Sequence, residues 1–146
     1  MVRIYALMAI LHVIVGGVWT GWTVFMAALI VPAARDGRFD ADALSWLTGR
    51  FARFSQLAPA IMLLTGGYMA SQGIVPDAPL SSLRGQLVVT MVGLWFVLSA
   101  LSNAASRRLV AGVGSDGVEP AARDSAMVFY VAGGVALALL LVGGWL

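Results

Sequence analysis

The stretch Leu7-Met-Ala-Ile-Leu-His-Val-Ile-Val-Gly-Gly-Val-Trp-Thr-Gly-Trp22 is apolar over almost a full bilayer crossing, and it contains the only histidine of the chain, His12. A helix needs about 20 mostly apolar residues to cross the hydrocarbon of a membrane, and this run continues to about Val31. The stretch therefore predicts a transmembrane helix. Because an ionisable side chain at such depth is costly, His12 is a candidate functional residue.

The composition extends this prediction to the whole chain. Its 146 residues are 60% apolar and 11% charged, against roughly 25% charged residues in soluble domains. The first apolar run is also much longer than the roughly 7 to 15 residues of a signal-peptide core, so a cleaved leader is not expected. Cysteine and lysine are absent, which excludes disulfides, thiolate metal sites, iron-sulfur clusters and Schiff-base chemistry.

Four apolar segments predict an all-α polytopic membrane protein, an antiparallel bundle of four transmembrane helices in one domain, residues 1–146. The first connector carries apolar residues at helical spacing after Asp40 and Asp42, which predicts a short interfacial helix. The third connector, 107–123, is rich in glycine and is predicted to be the most mobile part. The predicted spans are residues 4–31, 55–73, 85–106 and 123–146.

The arginines predict the orientation in the membrane, because connectors on the cytoplasmic side retain positive charge. The first and third connectors hold seven of the nine arginines, and only Arg3 and Arg84 lie on the opposite side. We therefore expect a multi-pass protein of a prokaryotic inner membrane with both termini outside the cytoplasm. Arginines that flank apolar segments indicate contact with lipid headgroups, and no nucleic-acid partner is expected.

Paired glycines recur in the predicted spans, including Gly66-Gly67 and Gly133-Gly134. Small residues let transmembrane helices approach closely, so helix packing is the favoured interpretation. The pair at 133–134 could also serve a dimer face, which makes a homo-oligomer one option.

Helical spacing defines the companions of His12. Met8, Gly16 and Trp19 share its helix face. The second span runs the opposite way and carries Met62, Thr65 and Met69 on one face, while the third brings Met91 to about the depth of His12.

Imidazole and thioether donors suit soft Cu(I), and also a haem iron held by histidine and methionine. Candidate copper ligands are therefore His12, Met8, Met62, Met69 and Met91, and a haem pocket would use His12, Met91 and Trp19. Three other interpretations stay open. The methionines and tryptophans are also common packing residues, and His12 could simply bond to a hydroxyl or carbonyl group of a neighbouring helix.

Three segments resemble the copper-resistance D (CopD) domain. The stretch 11–21, with its histidine followed by Gly-Gly and Trp-Thr-Gly, is similar to the first span of that domain. Arg53-Phe-Ser-Gln-Leu-Ala58 with Leu64-Thr-Gly66 resembles the next span, and 85–91 with Asn103 to Arg108 resembles the third. The resemblance implies that His12 is the functional histidine.

The same first span is shared by the related HemJ-type membrane protoporphyrinogen oxidases. Their third-span lysine has no counterpart here, because the matching position is Met91. The resemblance therefore argues against that haem enzyme activity, but by itself it does not choose between copper and haem. Copper handling or transport is the leading prediction, with a copper-delivering or redox partner as one option. His12 with Met91 would still be a competent axial pair for haem.

Catalysis without a cofactor is not expected, and no catalytic residue is assigned. Six of the seven acidic residues fall in the predicted connectors, and the seventh, Asp124, lies at the very start of the fourth span. No serine or threonine has a histidine and an acid near it that could activate it. A structural or interaction subunit is the remaining alternative to the copper and haem interpretations.

Overall fold

The computed structural model describes residues 2–74 and 82–145, and every regular element of these ranges is helical. Two single turns are π-helical, and they follow the first and third α-helices directly. The elements are α1 (Val2–Phe25), a π turn (Met26–Ile30), α2 (Val31–Arg35), α3 (Ala41–Met69), a π turn (Ala70–Ile74), α4 (Leu83–Ser115) and α5 (Val118–Gly144).

The first span is longer than predicted, because α1, the π turn and α2 follow one another without a break from residue 2 to residue 35. Pro32 lies at the start of α2. Proline lacks the N–H that an α-helix needs, and its ring crowds the carbonyl group four residues earlier. The wider π turn at Met26–Ile30 lies where that crowding would occur, so the chain passes Pro32 and remains helical to Arg35.

The first connector does not contain a separate interfacial helix. Asp40 caps α3 by accepting a hydrogen bond from the Ala43 N–H at 2.7 Å, and the helix then runs unbroken to Met69. Leu44 and Phe51, predicted to face the membrane surface, are fully buried in the bundle. The prediction of an interfacial helix is therefore not confirmed, although the predicted start near Asp40 is confirmed.

The third connector is the clearest error of the sequence interpretation. Residues 107–115 belong to α4, and only Asp116 and Gly117 separate this helix from α5. Gly117 has a φ of 91°, which is a backbone conformation that glycine adopts without strain. The glycines of this segment thus form a tight turn and a close helix contact rather than a mobile loop.

The long helices form a ring in which α3 packs on α1 and α4, and α5 packs on α4 and α1. Two apolar clusters lie inside it. One is built around Phe51, Leu109 and Phe129, and contains buried residues of the first π turn and of α2. The other is smaller and lies closer to the opposite end, around Trp19, Ala58 and Leu98.

Three helical stretches are long and apolar enough to cross a membrane: Arg3–Arg35, Leu83–Ser115 and Val118–Gly144. Each is longer than the span predicted for it. Helix α3 is not among the three. The all-helical architecture is thus confirmed, three of its helices are apolar enough to span a membrane, and the fourth span remains a proposal.

Candidate functional site

The imidazole of His12 points at the neighbouring helix α3. Its Nδ1 atom lies 2.7 Å from the Oγ1 atom of Thr65, and the side chain is half-buried. The two residues are 53 positions apart in the chain. This bond joins α1 to α3 and fixes the orientation of the ring.

The hydrogen bonds of Thr65 determine which nitrogen of His12 carries the proton. The Thr65 hydroxyl donates to the Ile61 carbonyl oxygen at 2.7 Å. A hydroxyl has one proton to give but can accept through its lone pairs. With the Thr65 hydroxyl donating to Ile61, Nδ1 of His12 is the donor to Thr65, and the tautomer that fits this arrangement carries its lone pair on Nε2. Within the described part of the chain, no hydrogen bond reaches Nε2.

Two glycines make room for this arrangement. A methyl group added at Gly66 would lie 3.0 Å from Cε1 of His12, and one added at Gly16 would lie 3.1 Å from Cε of Met62. The imidazole therefore lies against the backbone of α3, and the thioether of Met62 lies against the backbone of α1. The glycines act in helix packing, as predicted. The space beside them is occupied by His12 and Met62, two of the predicted ligand residues.

These contacts define the register between the antiparallel helices α1 and α3. His12 lies opposite Thr65 and Gly66, and Gly16 lies opposite Met62. One turn in the other direction, the same register brings Met8 opposite Met69. Both of these methionines are half-buried. His12 and Met62, two of the five predicted copper ligands, thus lie in one helix interface, and the register sets positions 8 and 69 one turn further along it.

Met91 joins this group from helix α4. It lies seven residues before the buried Leu98, so it shares the inward face of α4, and it is half-buried. Helices α3 and α4 line a common groove in which Gln56 and Asn103 both take part. Continued along both helices, this pairing sets Met91 near the level of Met69.

Trp19 and Met127 lie apart from His12. Trp19 is 1% exposed and packs in the apolar cluster with Ala58 and Leu98, two turns deeper than His12. Met127, by contrast, is 70% exposed. Trp19 is therefore a core residue, and Met127 faces away from the bundle interior.

The donor set limits the chemistry that is open to the site. Across residues 2–74 and 82–145, no three histidine, aspartate or glutamate side chains come together in a metal-binding group. An ion held beside His12 would have one imidazole nitrogen and uncharged thioethers as ligands. Such donors fit a soft monovalent ion far better than Mg²⁺ or Ca²⁺, which prefer oxygen ligands.

Comparison with known proteins adds no relative: family models, curated proteins and solved structures all give no match to this chain. The similarity to the CopD domain therefore rests on the short motifs quoted above.

The sequence interpretation identified His12 but did not assign a role to Thr65. It placed Thr65 on the same face as Met62 and Met69, and it raised a hydroxyl partner for His12 only as the alternative to ligand binding. The structure contains that hydrogen bond, and it uses Nδ1 alone. The signal that could have identified Thr65 is its place in Thr65-Gly66, where a small residue lets the ring approach.

We predict that Thr65→Val weakens metal binding at His12 by about 10- to 100-fold, the usual cost of losing a group that orients a ligand histidine. Valine has nearly the shape of threonine but accepts no hydrogen bond, so both nitrogens of His12 would be free to carry the proton. Thr65→Ser keeps the hydroxyl and should restore most of the affinity. Titration with Cu(I) against a competing chelator measures both variants, and equal affinity of the valine and wild-type proteins would contradict the prediction.

Proposed function

We propose that this chain is a CopD-like protein of a prokaryotic inner membrane, and that it handles copper, as Cu(I), at His12. The observation that carries the proposal is the 2.7 Å contact between Nδ1 of His12 and Oγ1 of Thr65, which leaves Nε2 as the ring nitrogen for a ligand. This nitrogen belongs to the only histidine of the chain, in an apolar helix, with Thr65 holding the opposite nitrogen. Copper is the cargo in this proposal, and the protein supplies a soft, uncharged binding position.

The topology that accompanies this function has four membrane crossings, with α3 as the fourth. Seven arginines lie at the end of the bundle where α2, the start of α3, the end of α4 and the start of α5 meet, which marks the cytoplasmic side. Arg50 on α3 stacks over the ring of Trp46 with 5.3 Å between its Cζ atom and the ring centroid, a pairing that suits the membrane interface. Both termini then lie outside the cytoplasm.

The methionines provide donors at more than one depth. From the outer end inward, the helix register gives Met8 with Met69 and Met91, then His12, then Met62. Transport requires several positions that bind moderately, since an ion that is held too tightly cannot leave. A series of single thioethers on either side of one imidazole meets that requirement.

The charge of the site favours Cu(I) over Cu(II). None of the acidic side chains of the described residues lies in the interior of the bundle, and all are exposed. Moving an ion into a medium of low dielectric constant costs more as its charge increases. A neutral donor set can compensate this cost for a monovalent ion with soft character more readily than for a divalent one.

Metal analysis and an absorption spectrum of the purified protein test the proposal. We expect a colourless protein that binds Cu(I) at about one ion per chain. A Soret band would instead indicate haem, with His12 as one axial ligand and Met91, or His12 of a second subunit, as the other. Absence of both copper and haem binding would overturn the proposal and leave a structural subunit whose partner carries the chemistry.

A further inference from the structure

Buried hydroxyl groups in this bundle differ in whether they have a hydrogen-bond partner. Five hydroxyls on the helices donate to a carbonyl oxygen of their own helix four residues earlier, at 2.7 to 2.9 Å: Thr20, Thr23, Thr65, Ser106 and Ser125. Thr48, Ser55 and Ser102 are all 0% exposed, and their hydroxyl oxygens have no partner among the described residues. Their side chains therefore point away from the acceptor that lies within reach on their own helix.

These two serines lie at one level of the bundle. On α3, Ser55 lies between Phe51 of the larger apolar cluster and Ala58 of the smaller one. On α4, Ser102 lies between Leu98 of the smaller cluster and Ala105 of the larger one. Both hydroxyls thus lie in the gap between the two clusters.

Helix α1 adds further polar atoms at this level. Thr23 lies between Trp19 of the smaller cluster and Met26 of the larger one, and its oxygen remains able to accept. The indole Nε1 atom of Trp19 is buried and has no partner among the described residues, and the same holds for Trp95 on α4. Helices α1, α3 and α4 therefore bring hydroxyl oxygens to the boundary between the clusters, and the indole of Trp19 lies one turn from it.

We infer that ordered water molecules bind inside the bundle between Ser55 and Ser102. A buried polar group without a partner costs about 1 to 3 kcal/mol, and buried water typically makes about three hydrogen bonds to such groups. Serine hydroxyls can both donate and accept, and an indole N–H donates. This set satisfies water, whereas it offers no charged or soft donor for a metal ion.

The hydrated layer is independent of the copper proposal, because its residues lie about three helical turns deeper than His12. It would lie near the middle of α3 and α4 and close to the end of α1, between two apolar clusters. There it would offer a polar position to any ion or proton that passes along the bundle.

Solid-state NMR of the full chain in lipid bilayers tests the inference through magnetisation transfer from water. We expect transfer to Ser55, Ser102 and the Trp19 indole N–H to be several-fold faster than to Ser125, which is equally buried but bonded to its own helix. Transfer to Ser55 and Ser102 as slow as to Ser125 would overturn the inference.

Thermal unfolding gives a second test. Removing a hydroxyl should change the melting temperature in opposite directions, depending on whether water bridges the hydroxyls. If water bridges the hydroxyls, Ser55→Ala and Ser102→Ala should each lower the melting temperature, because they remove a partner of that water. If the hydroxyls have no partner, alanine removes an unsatisfied group and the melting temperature should rise, which contradicts the inference. Ser125→Ala is the matched control for loss of a hydroxyl.

Discussion

Replacing His12 with leucine is expected to abolish copper binding and to leave the bundle folded. The variant removes the only imidazole of the chain, and the remaining thioethers would be left without a nitrogen donor. The Thr65 hydroxyl keeps its own bond to Ile61, so no buried donor is stranded. A side-chain hydrogen bond between membrane helices contributes about 0.6 kcal/mol, and leucine returns apolar packing in its place.

Metal analysis of the purified variant, together with its helical circular dichroism and melting temperature, measures this outcome. Met62→Leu should weaken binding, because that thioether lies beside Gly16 one turn from His12. Met127→Leu is the matched control, since this methionine faces outward and its loss should leave the copper content unchanged. Loss of the folded protein in His12→Leu, with no copper in the wild type, would identify His12 as a structural residue.

The largest effect on stability is expected at Gly112, where α4 and α5 cross. A methyl group added there would lie 2.8 Å from Cβ and 3.2 Å from Cα of Ala121. The nearest atoms belong to a short side chain and to backbone, so they cannot swing aside. Gly112→Leu should therefore separate the two helices and destabilise the fold by about 3 kcal/mol or more, at the upper end of the range for overpacking.

Gly114→Leu is the control for this prediction, because no atom lies within 4 Å of a methyl group added at Gly114. Leucine is a better helix former than glycine by somewhat less than about 1 kcal/mol, so this variant should be as stable as the wild type or more stable. Unfolding in detergent micelles compares the two variants. Equal stability would contradict the close approach of α4 and α5 that the structure describes.

Much of the fold follows from the hydropathy of the sequence, whereas the helix ends do not. Apolar runs predicted helices in the right places, and Asp40 marked a helix start, although of a short interfacial helix and not of the long helix α3. Arg107 and Arg108 suggested that the third span had ended, yet α4 continues to Ser115 because Leu109 and Val113 are buried beyond the charges. A charged residue shows where a helix leaves the hydrocarbon, and it does not show where the helix itself ends.

The glycines near 112–117 illustrate a second limit. A cluster of glycines is typical of a loop, but Gly112 lies inside α4 and allows the approach of Ala121, and only Gly117 forms the turn. Glycine serves both in the helix contact and in the turn, so the residue type does not distinguish the two roles. Which role applies depends on the neighbouring helix, and this information is absent from a local pattern.

The candidate site was predictable in its residues and not in its details. Spacing along α1 and α3 placed His12, Met62 and Met69 on facing surfaces, and the contacts at Gly16 and Gly66 agree with that prediction. The tautomer of His12 depends on which acceptor receives the hydrogen bond of the Thr65 hydroxyl. The separate location of Trp19 depends on the packing of three helices, so neither property could be obtained from spacing alone.

The incomplete burial of His12 has a consequence for any measurement on this site. Its helix exposes Leu7, Leu11 and Ile14 around the ring, so in a bilayer the acyl chains of lipids complete the enclosure that protein leaves open. The lipid or detergent used for purification then becomes part of the surroundings of the imidazole ring. Affinities measured in short-chain detergent, where water competes for the nitrogen, and in bilayers would describe two chemically different surroundings of the same residue.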